Sequence, residues 1–366
     1  MSSQTTYPSG HYIDGRWRDP TGTESIEVRN PTTEDVLGTI TAATRDEVDA
    51  ATAAANDAQY DWAHRPAKER GALVREIADL IEYNSEELAR LVTEEQGKTI
   101  SGARGEIEAA AEIARYMAEW DSRIEGDILP GDVREETVHL QRHPKGTVAG
   151  IIPWNYPIVV LLRKLAPALV AGNTIVVKPS ELTPLSTLSL VELIDETIDL
   201  PPGVLNLVTG AGKTGGALAD SSAIDMVSMT GSVETGKAIM EAASSNLTDV
   251  SLELGGKAPA IVWKDADIDE AVEDVLTARI TNSGQVCTCA ERVFVHEDVR
   301  EEFERKYVEA ADNVLVGDPL DDAEMGPHVS ADELKKTEAA VQGAKRDGAT
   351  VLTGGNVLTD GAYEKG

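Results

Sequence analysis

The sequence is short of cysteine, phenylalanine and positive charge, and it has no long apolar run. Two cysteines and two phenylalanines occur among 366 residues, and aromatics make up 4%. Cys287 and Cys289 cannot staple a chain of this size. A bridge between residues two apart is badly strained, and their spacing is not that of a zinc site. No metal is therefore expected, and a reduced, cytoplasmic setting is. Lys plus Arg number 33 against 64 Asp plus Glu, a formal charge of −31. Such a chain lacks the basic footprint that phosphate backbones need, so no nucleic-acid partner is expected. The most apolar stretch, 148–177, is cut by Pro153, Asn155, Pro157, Arg163, Lys164 and Pro167. No segment reaches the ~20 apolar residues of a membrane helix, and no membrane partner is expected. The polar first ten residues lack the charged start and apolar centre of a secretion signal.

What is present argues for a folded, two-domain protein. Hydrophobic residues make up 41% in long periodic segments, which is incompatible with general disorder. The excess of acid, with 14 Lys against 19 Arg, predicts a strongly hydrated, self-repelling surface of the kind found in salt-loving organisms.

The chain opens with short extended pieces, Tyr12 to Trp17 and Ile26 to Val28, around an Asp14-Gly15 turn. Helices follow, with capping boxes predicted at Thr44–Glu47 and Asn84–Glu87. Leu73, Ile77, Leu80 and Ile81 make one apolar helical stripe, and Ile107, Ala110, Ala111 and Ala114 another. From Thr147 strands and helices alternate: strands at 147–152, 173–177, 204–208, 226–229 and 250–254, helices at 158–170, 184–198, 213–219 and 233–243. This rhythm predicts an α/β fold with a mostly parallel, Rossmann-type sheet and right-handed crossovers. In such sheets ligands bind beyond the carboxyl ends of the strands. The unusual residues sit there: Pro153-Trp-Asn155, Lys178-Pro-Ser-Glu181, Gly210-Ala-Gly212, Thr230-Gly-Ser232 and Glu253-Leu-Gly-Gly256. Further on, helices are predicted at 271–280, 299–311 and 331–343, with strands at 292–295 and 350–352.

Taken singly, these residues leave alternatives open. Cys287, after Gly284-Gln285-Val286, is either a presented nucleophile or a buried structural cysteine. Glu253 ends an apolar strand, where a carboxylate is partly desolvated; it is either a general base or a salt-bridged edge residue. Asn155 either aims an amide N–H at an oxyanion or merely turns the chain. Gly210-Ala-Gly212-Lys-Thr-Gly-Gly216 is not the standard dinucleotide fingerprint.

Together, the motifs Pro153-Trp-Asn-Tyr-Pro157, Lys178-Pro-Ser-Glu181, Met229-Thr-Gly-Ser232, Leu252-Glu-Leu-Gly-Gly-Lys257 and Gly284-Gln-Val-Cys287 resemble the NAD(P)-dependent aldehyde dehydrogenase superfamily. Their order is the family's, with Cys287 34 positions after Glu253. Tyr116-Met-Ala-Glu-Trp120, Met226–Ser232 and Asn282–Arg292 look most like its lactaldehyde/glycolaldehyde branch. The resemblance implies Cys287 as nucleophile, the Asn155 amide as oxyanion donor and Glu253 as the base that activates water to hydrolyse a thioester. It implies NAD as cofactor, with NADP second, because the Glu181 carboxylate would repel a 2′-phosphate. The implied cofactor contacts are Trp154, Lys178, Ser180, Glu181, Gly216, Gly231, Ser232 and Leu254. Arg163 is the implied substrate contact, for a hydroxyl or carboxylate of a small polar aldehyde; otherwise it is a solvated helix charge beside Lys164.

The resemblance also sets the expected organisation: residues 1–254 as NAD-binding domain, with an oligomerisation ribbon at 133–144, and 255–366 as a truncated catalytic domain. The family's acidic Phe-Gly-Pro segment and C-terminal strand are not in the sequence. A homo-oligomer, dimer or tetramer, is expected of a longer form. The competing readings are a semialdehyde dehydrogenase, for 2-oxoglutarate or succinate semialdehyde, and an inactive nucleotide-binding fragment.

Overall fold

A computed structural model describes residues 10–321, 323–359 and 363; residues 1–9, read above for a secretion signal, lie outside them. The chain opens with short strands β1 (His11–Tyr12), β2 (Trp17–Arg18), β3 (Ser25–Arg29) and β4 (Val36–Thr41). Helices α1 (Arg45–His64), α2 (Ala67–Tyr83), α3 (Ser85–Gln96) and α4 (Ile100–Ala118) follow, then strands β5 (Asp127–Pro130) and β6 (Thr137–Leu140). The alternating stretch is β7 (Thr147–Ile151), α5 (Pro157–Ala171), β8 (Thr174–Lys178), α6 (Leu185–Thr197), β9 (Leu205–Leu207), α7 (Gly212–Ala219), β10 (Met226–Gly231), α8 (Val233–Ala243) and β11 (Asp249–Leu254). After it come β12 (Pro259–Val262), α9 (Ile268–Ile280), β13 (Arg292–Val295), α10 (Arg300–Asp312) and α11 (Ala331–Arg346).

Two compact units result. One holds residues 1–28, 38–88 and 106–253; the other holds 29–37, 89–105 and 254–366. Segments 29–37 and 89–105 group with the later part of the chain, not with their sequence neighbours. Strand and helix periodicity shows which face of an element is apolar, not which neighbour covers it.

The first unit is built on a seven-stranded sheet in the order β11-β10-β7-β8-β9-β1-β2. Strands β10, β7, β8 and β9 run parallel, with Met226, Val148, Ile175 and Leu205 in one row. Strand β1 joins β9 antiparallel through Tyr12 and Leu207, and β2 pairs antiparallel with β1. Chain order runs outward from β7 through β8 to β9, then returns to place β10 on the other side of β7. That reversal is a topological switch point, where open α/β sheets form their ligand crevice.

Both sheet faces are covered, which is why β7, β8 and β9 are buried throughout. On one face Thr174 donates its hydroxyl to the Ala55 carbonyl of α1 (2.8 Å). On the other, a Cβ at Gly150 would lie 3.1 Å from Ile175 and 3.9 Å from the Lys164 side chain of α5. The predicted capping box at α1 is present: Thr44 accepts from the Glu47 amide, and Glu47 accepts from the Thr44 amide. At Asn84 the side-chain amide donates back to the Leu80 carbonyl (2.8 Å), closing α2.

The ribbon begins earlier than residues 133–144. It pairs Asp127 with Leu140 through Pro130 with Thr137, and all eight strand residues are exposed. In the second unit β12 and β13 form a parallel pair over a core of Val262, Ile268, Val272, Val275, Ala290 and Phe303. No strand forms at 350–352: Val351 and Leu352 are exposed, without a pairing strand among the described residues. Among the described residues no helix is long and apolar enough to cross a membrane.

Candidate active site

The loop between β7 and α5 carries Trp154 and Asn155, both half-buried, on the edge of the switch point. Helix α5 begins with Pro157 and no side-chain cap of its own. Its cap comes from elsewhere: the buried Glu106 carboxylate of α4 accepts from the Ile158 amide (2.9 Å) and the Val159 amide (3.2 Å). A carboxylate there meets both the open N–H groups and the positive end of the helix dipole. Thr183 donates its hydroxyl to the Trp154 carbonyl (3.2 Å), tying the loop to the one that follows β8. Asn155 is thus held from two sides. Neither Glu106 nor Thr183 was legible as a partner, because 52 and 29 positions separate them from the groups they bind.

After β8, the Lys178 ammonium is buried and donates to the carbonyls of Pro179 and Gly210 (both 2.7 Å), 3.8 Å from Glu181. Burial lowers its pKa to about 8, with Glu181 opposing the shift. Ser180 is buried and Glu181 half-buried. Gly210 has φ +141°, and a Cβ there would lie 2.1 Å from the Thr214 hydroxyl, so only glycine turns the chain from β9 into α7. Helix α7 starts at Ala211 without a side-chain cap, and a Cβ at Gly212 or Gly216 would meet nothing within 4 Å. Gly231 and Ser232 follow β10; the Ser232 hydroxyl accepts from the Thr235 amide (3.1 Å) and so caps α8. Leu254, half-buried, closes β11.

These residues fit a dinucleotide. Uncapped amides at the start of α7, open space over its glycines and a carboxylate beside a buried ammonium are the donor and acceptor set that diphosphate and ribose need.

Glu253 differs from expectation: it is exposed, not desolvated, since β11 is the outermost strand of the sheet. Its charge is instead sensed by Lys164, the neighbour of Arg163 in α5. Lys164 is buried in α5 and donates to Ser228 (3.1 Å) and Thr230 (2.9 Å) of β10. Burial lowers its pKa to about 8; Glu253 pulls it back up and Arg163 pushes it further down. The signal was available, because α5 is apolar on nearly every side and a charge within it must be buried somewhere. Arg163 itself is exposed.

Cys287 belongs to the second unit, and Asn155 and Glu253 to the first. Its thiol is free and exposed, whereas Cys289 is free and buried. The backbone before Cys287 is left-handed at three consecutive residues: Asn282 (φ 49°), Ser283 (φ 56°) and Gly284 (φ 76°). Such a run costs roughly 1–2 kcal/mol at each non-glycine position, so surrounding contacts must hold it. The Ser283 hydroxyl donates to the Gly326 carbonyl (2.7 Å), and Gln285 accepts from the Val329 amide (3.0 Å). On the far side, the Cys289 thiol donates to the Ala278 carbonyl (3.1 Å) and receives the Arg279 guanidinium (3.1 Å).

The first unit is an open α/β sheet covered on both faces, with a switch point that fits a dinucleotide, and the second unit presents a free, exposed thiol. The chain belongs to the aldehyde dehydrogenase family, whose model matches residues 17–366. It is 44% identical over 357 residues to 3,6-anhydro-alpha-L-galactose dehydrogenase of Vibrio sp. (strain EJY3), covering 97% of this chain and 74% of that one. Lactaldehyde dehydrogenase of Escherichia coli (strain K12) is 43% identical over 366 residues, 99% of this chain and 76% of that one. Among solved structures, 3,6-anhydro-L-galactose dehydrogenase in complex with NAP superposes with a TM-score of 0.94 at 43% identity, covering 98% of this chain and 75% of that one. The protein is an oxidoreductase acting on aldehydes.

Proposed function

We propose that the protein oxidises a small polar aldehyde, of lactaldehyde or glycolaldehyde type, to its carboxylic acid with NAD. In this reading the Cys287 thiolate attacks the aldehyde carbonyl, and the developing oxyanion is met by the Asn155 amide and the Cys287 backbone N–H. One such donor is worth about 2.7–4 kcal/mol. Lys178, Ser180 and Glu181 would hold the adenosine ribose, and Trp154, Gly216, Gly231, Ser232 and Leu254 would line the rest of the dinucleotide. Bound there, the nicotinamide supplies the hydride acceptor. Glu253 takes a proton from the water that hydrolyses the thioester on Cys287, freeing the acid and the thiol.

The observation that carries this reading is the free, exposed thiol of Cys287 on a backbone held in a strained left-handed turn. Strain maintained by side-chain clamps marks a presented group, not a packed one. NAD is favoured over NADP by the half-buried Glu181 carboxylate. Arg163, exposed on α5, is the proposed contact for the substrate's polar end. The exposed ribbon, with Ile128, Leu129, Val138 and Leu140 uncovered, favours a homo-oligomer, and the composition favours a home at high salt.

The test is NADH absorbance against lactaldehyde, glycolaldehyde, succinate semialdehyde and an unsubstituted aliphatic aldehyde, in the parent and Arg163→Leu. Polar hydroxyaldehydes should give the highest kcat/KM, and Arg163→Leu should raise KM for them alone. Equal losses on all four substrates would remove Arg163 from recognition. A preference for succinate semialdehyde would instead favour the semialdehyde reading.

A further inference from the structure

The left-handed turn at Asn282–Gly284 lies within the second unit, and its anchors are unusually rigid. The acceptor of the Ser283 hydroxyl is the Gly326 carbonyl, and Gly326 is itself jammed against the chain: a Cβ there would lie 2.1 Å from the Gly97 carbonyl. Gly97 in turn has φ +87° and packs on Pro31 and Pro327. Beyond the turn, Gln285 bridges both ways, donating to the Asn282 carbonyl (3.0 Å) and accepting from the Val329 amide (3.0 Å). A side chain at Gly284 would be strained by φ +76°, and its Cβ, 3.1 Å from the Arg279 guanidinium, would push that group aside. Cys287 therefore sits on a short bridge, with the Ser283 clamp before it and the Cys289–Ala278 contact behind it.

Serine has no conformational reason to occupy φ 56°, and glycine would do so without strain. What serine supplies and glycine lacks is the hydroxyl. We propose that Ser283 is a positioning residue: its hydrogen bond to Gly326 holds the turn left-handed and thereby keeps the Cys287 thiol presented for attack. Without that bond the turn relaxes toward the right-handed region, the chain path reverses locally, and the thiol leaves its exposed position. The role is indirect, and it rests on the reading of Cys287 as nucleophile.

The experiment uses Ser283→Ala, Ser283→Gly and Ser283→Asn in the whole chain, with Cys287→Ala alongside. Three quantities are read: the rate of iodoacetamide alkylation at the Cys287 peptide by mass spectrometry, kcat and KM for NADH formation, and Tm. Loss of the clamp should slow alkylation and lower kcat by about 10-fold in Ser283→Ala, from the worth of one hydrogen bond in a strained site. Ser283→Gly, which takes the left-handed region without strain, should keep more of both than Ser283→Ala. Ser283→Asn, which tolerates the left-handed region and keeps a donor, should recover most of the rate. Parent-like alkylation and kcat in Ser283→Ala would overturn the proposal, as would a loss in Ser283→Gly as large as that in Ser283→Ala. Turnover surviving in Cys287→Ala would fail the nucleophile reading instead, while the alkylation rates would still report on the turn.

Discussion

Arg163 and Lys164 are neighbours in sequence with opposite environments: one exposed, the other buried against Ser228 and Thr230. A charge kept in an apolar helix has an energetic consequence that can be measured. Lys164 titrates at about 8 in the fold against 10.5 unfolded. Below pH 8 it is charged in both states and the fold bears its desolvation. Between pH 8 and 10.5 only the unfolded chain holds the proton, so this unfavourable contribution is relieved as pH rises. The stability advantage of Lys164→Met over the parent should therefore shrink between pH 7.5 and pH 9.5 in urea titrations. A difference that is constant with pH would contradict the buried ammonium. If Glu253 works as proposed, the parent's kcat should also show an ionisation near pH 8 that Lys164→Met lacks. At this scale the sequence names candidates by identity, as at Cys287, Glu253 and Asn155, whose roles are proposals. It was not legible where identity needs a register: Lys164 had to be placed on its helix face, and Glu253 on an outer strand, before their exposure could be known.

Among the elements, the alternating stretch from β7 to β11 was read nearly to the residue, because buried parallel strands separated by apolar helices and glycine turns leave strong signals. The caps show the limit of that. The box at Thr44–Glu47 is local and was visible; the Glu106 cap on α5 is long-range and was not. Strand β12 was missed because Pro259-Ala-Ile-Val262 is short, and residues 350–352 form no strand and have no pairing strand among the described residues. The local cap also makes a pH prediction. Although burial works against it, hydrogen bonds from Thr21 and Thr44 hold the Glu47 carboxyl at about 2, against an ordinary value of 4.5. Its contribution is complete above pH 4.5 and is lost as pH falls from there toward 2. Glu47→Gln should thus cost more stability at pH 7 than at pH 3.5. Thr44→Ala should cost about 1 kcal/mol at pH 7. Equal costs of Glu47→Gln at both pH values would show that the carboxylate charge does not act in the cap.

For the whole molecule, the proposed chemistry calls on only Glu253 and Glu181 among 64 acidic residues, so the charge of −31 as a whole has another role. It acts on the fold through self-repulsion, which salt screens. Tm should rise from dilute buffer to molar KCl, and a flat or falling Tm would contradict this reading of the surface. What composition and periodicity could not show is that residues 29–37 and 89–105 leave their sequence neighbours to join the second unit. The central claim, that Cys287 carries the acyl group and Glu253 releases it, is tested most directly by rapid-quench mass spectrometry of Glu253→Gln mixed with NAD and glycolaldehyde. The account predicts about one equivalent of NADH per chain, a stalled second turnover, and the acyl mass on the peptide containing Cys287. Continued turnover at the parent's rate, or NADH formation undiminished in Cys287→Ala, would contradict it.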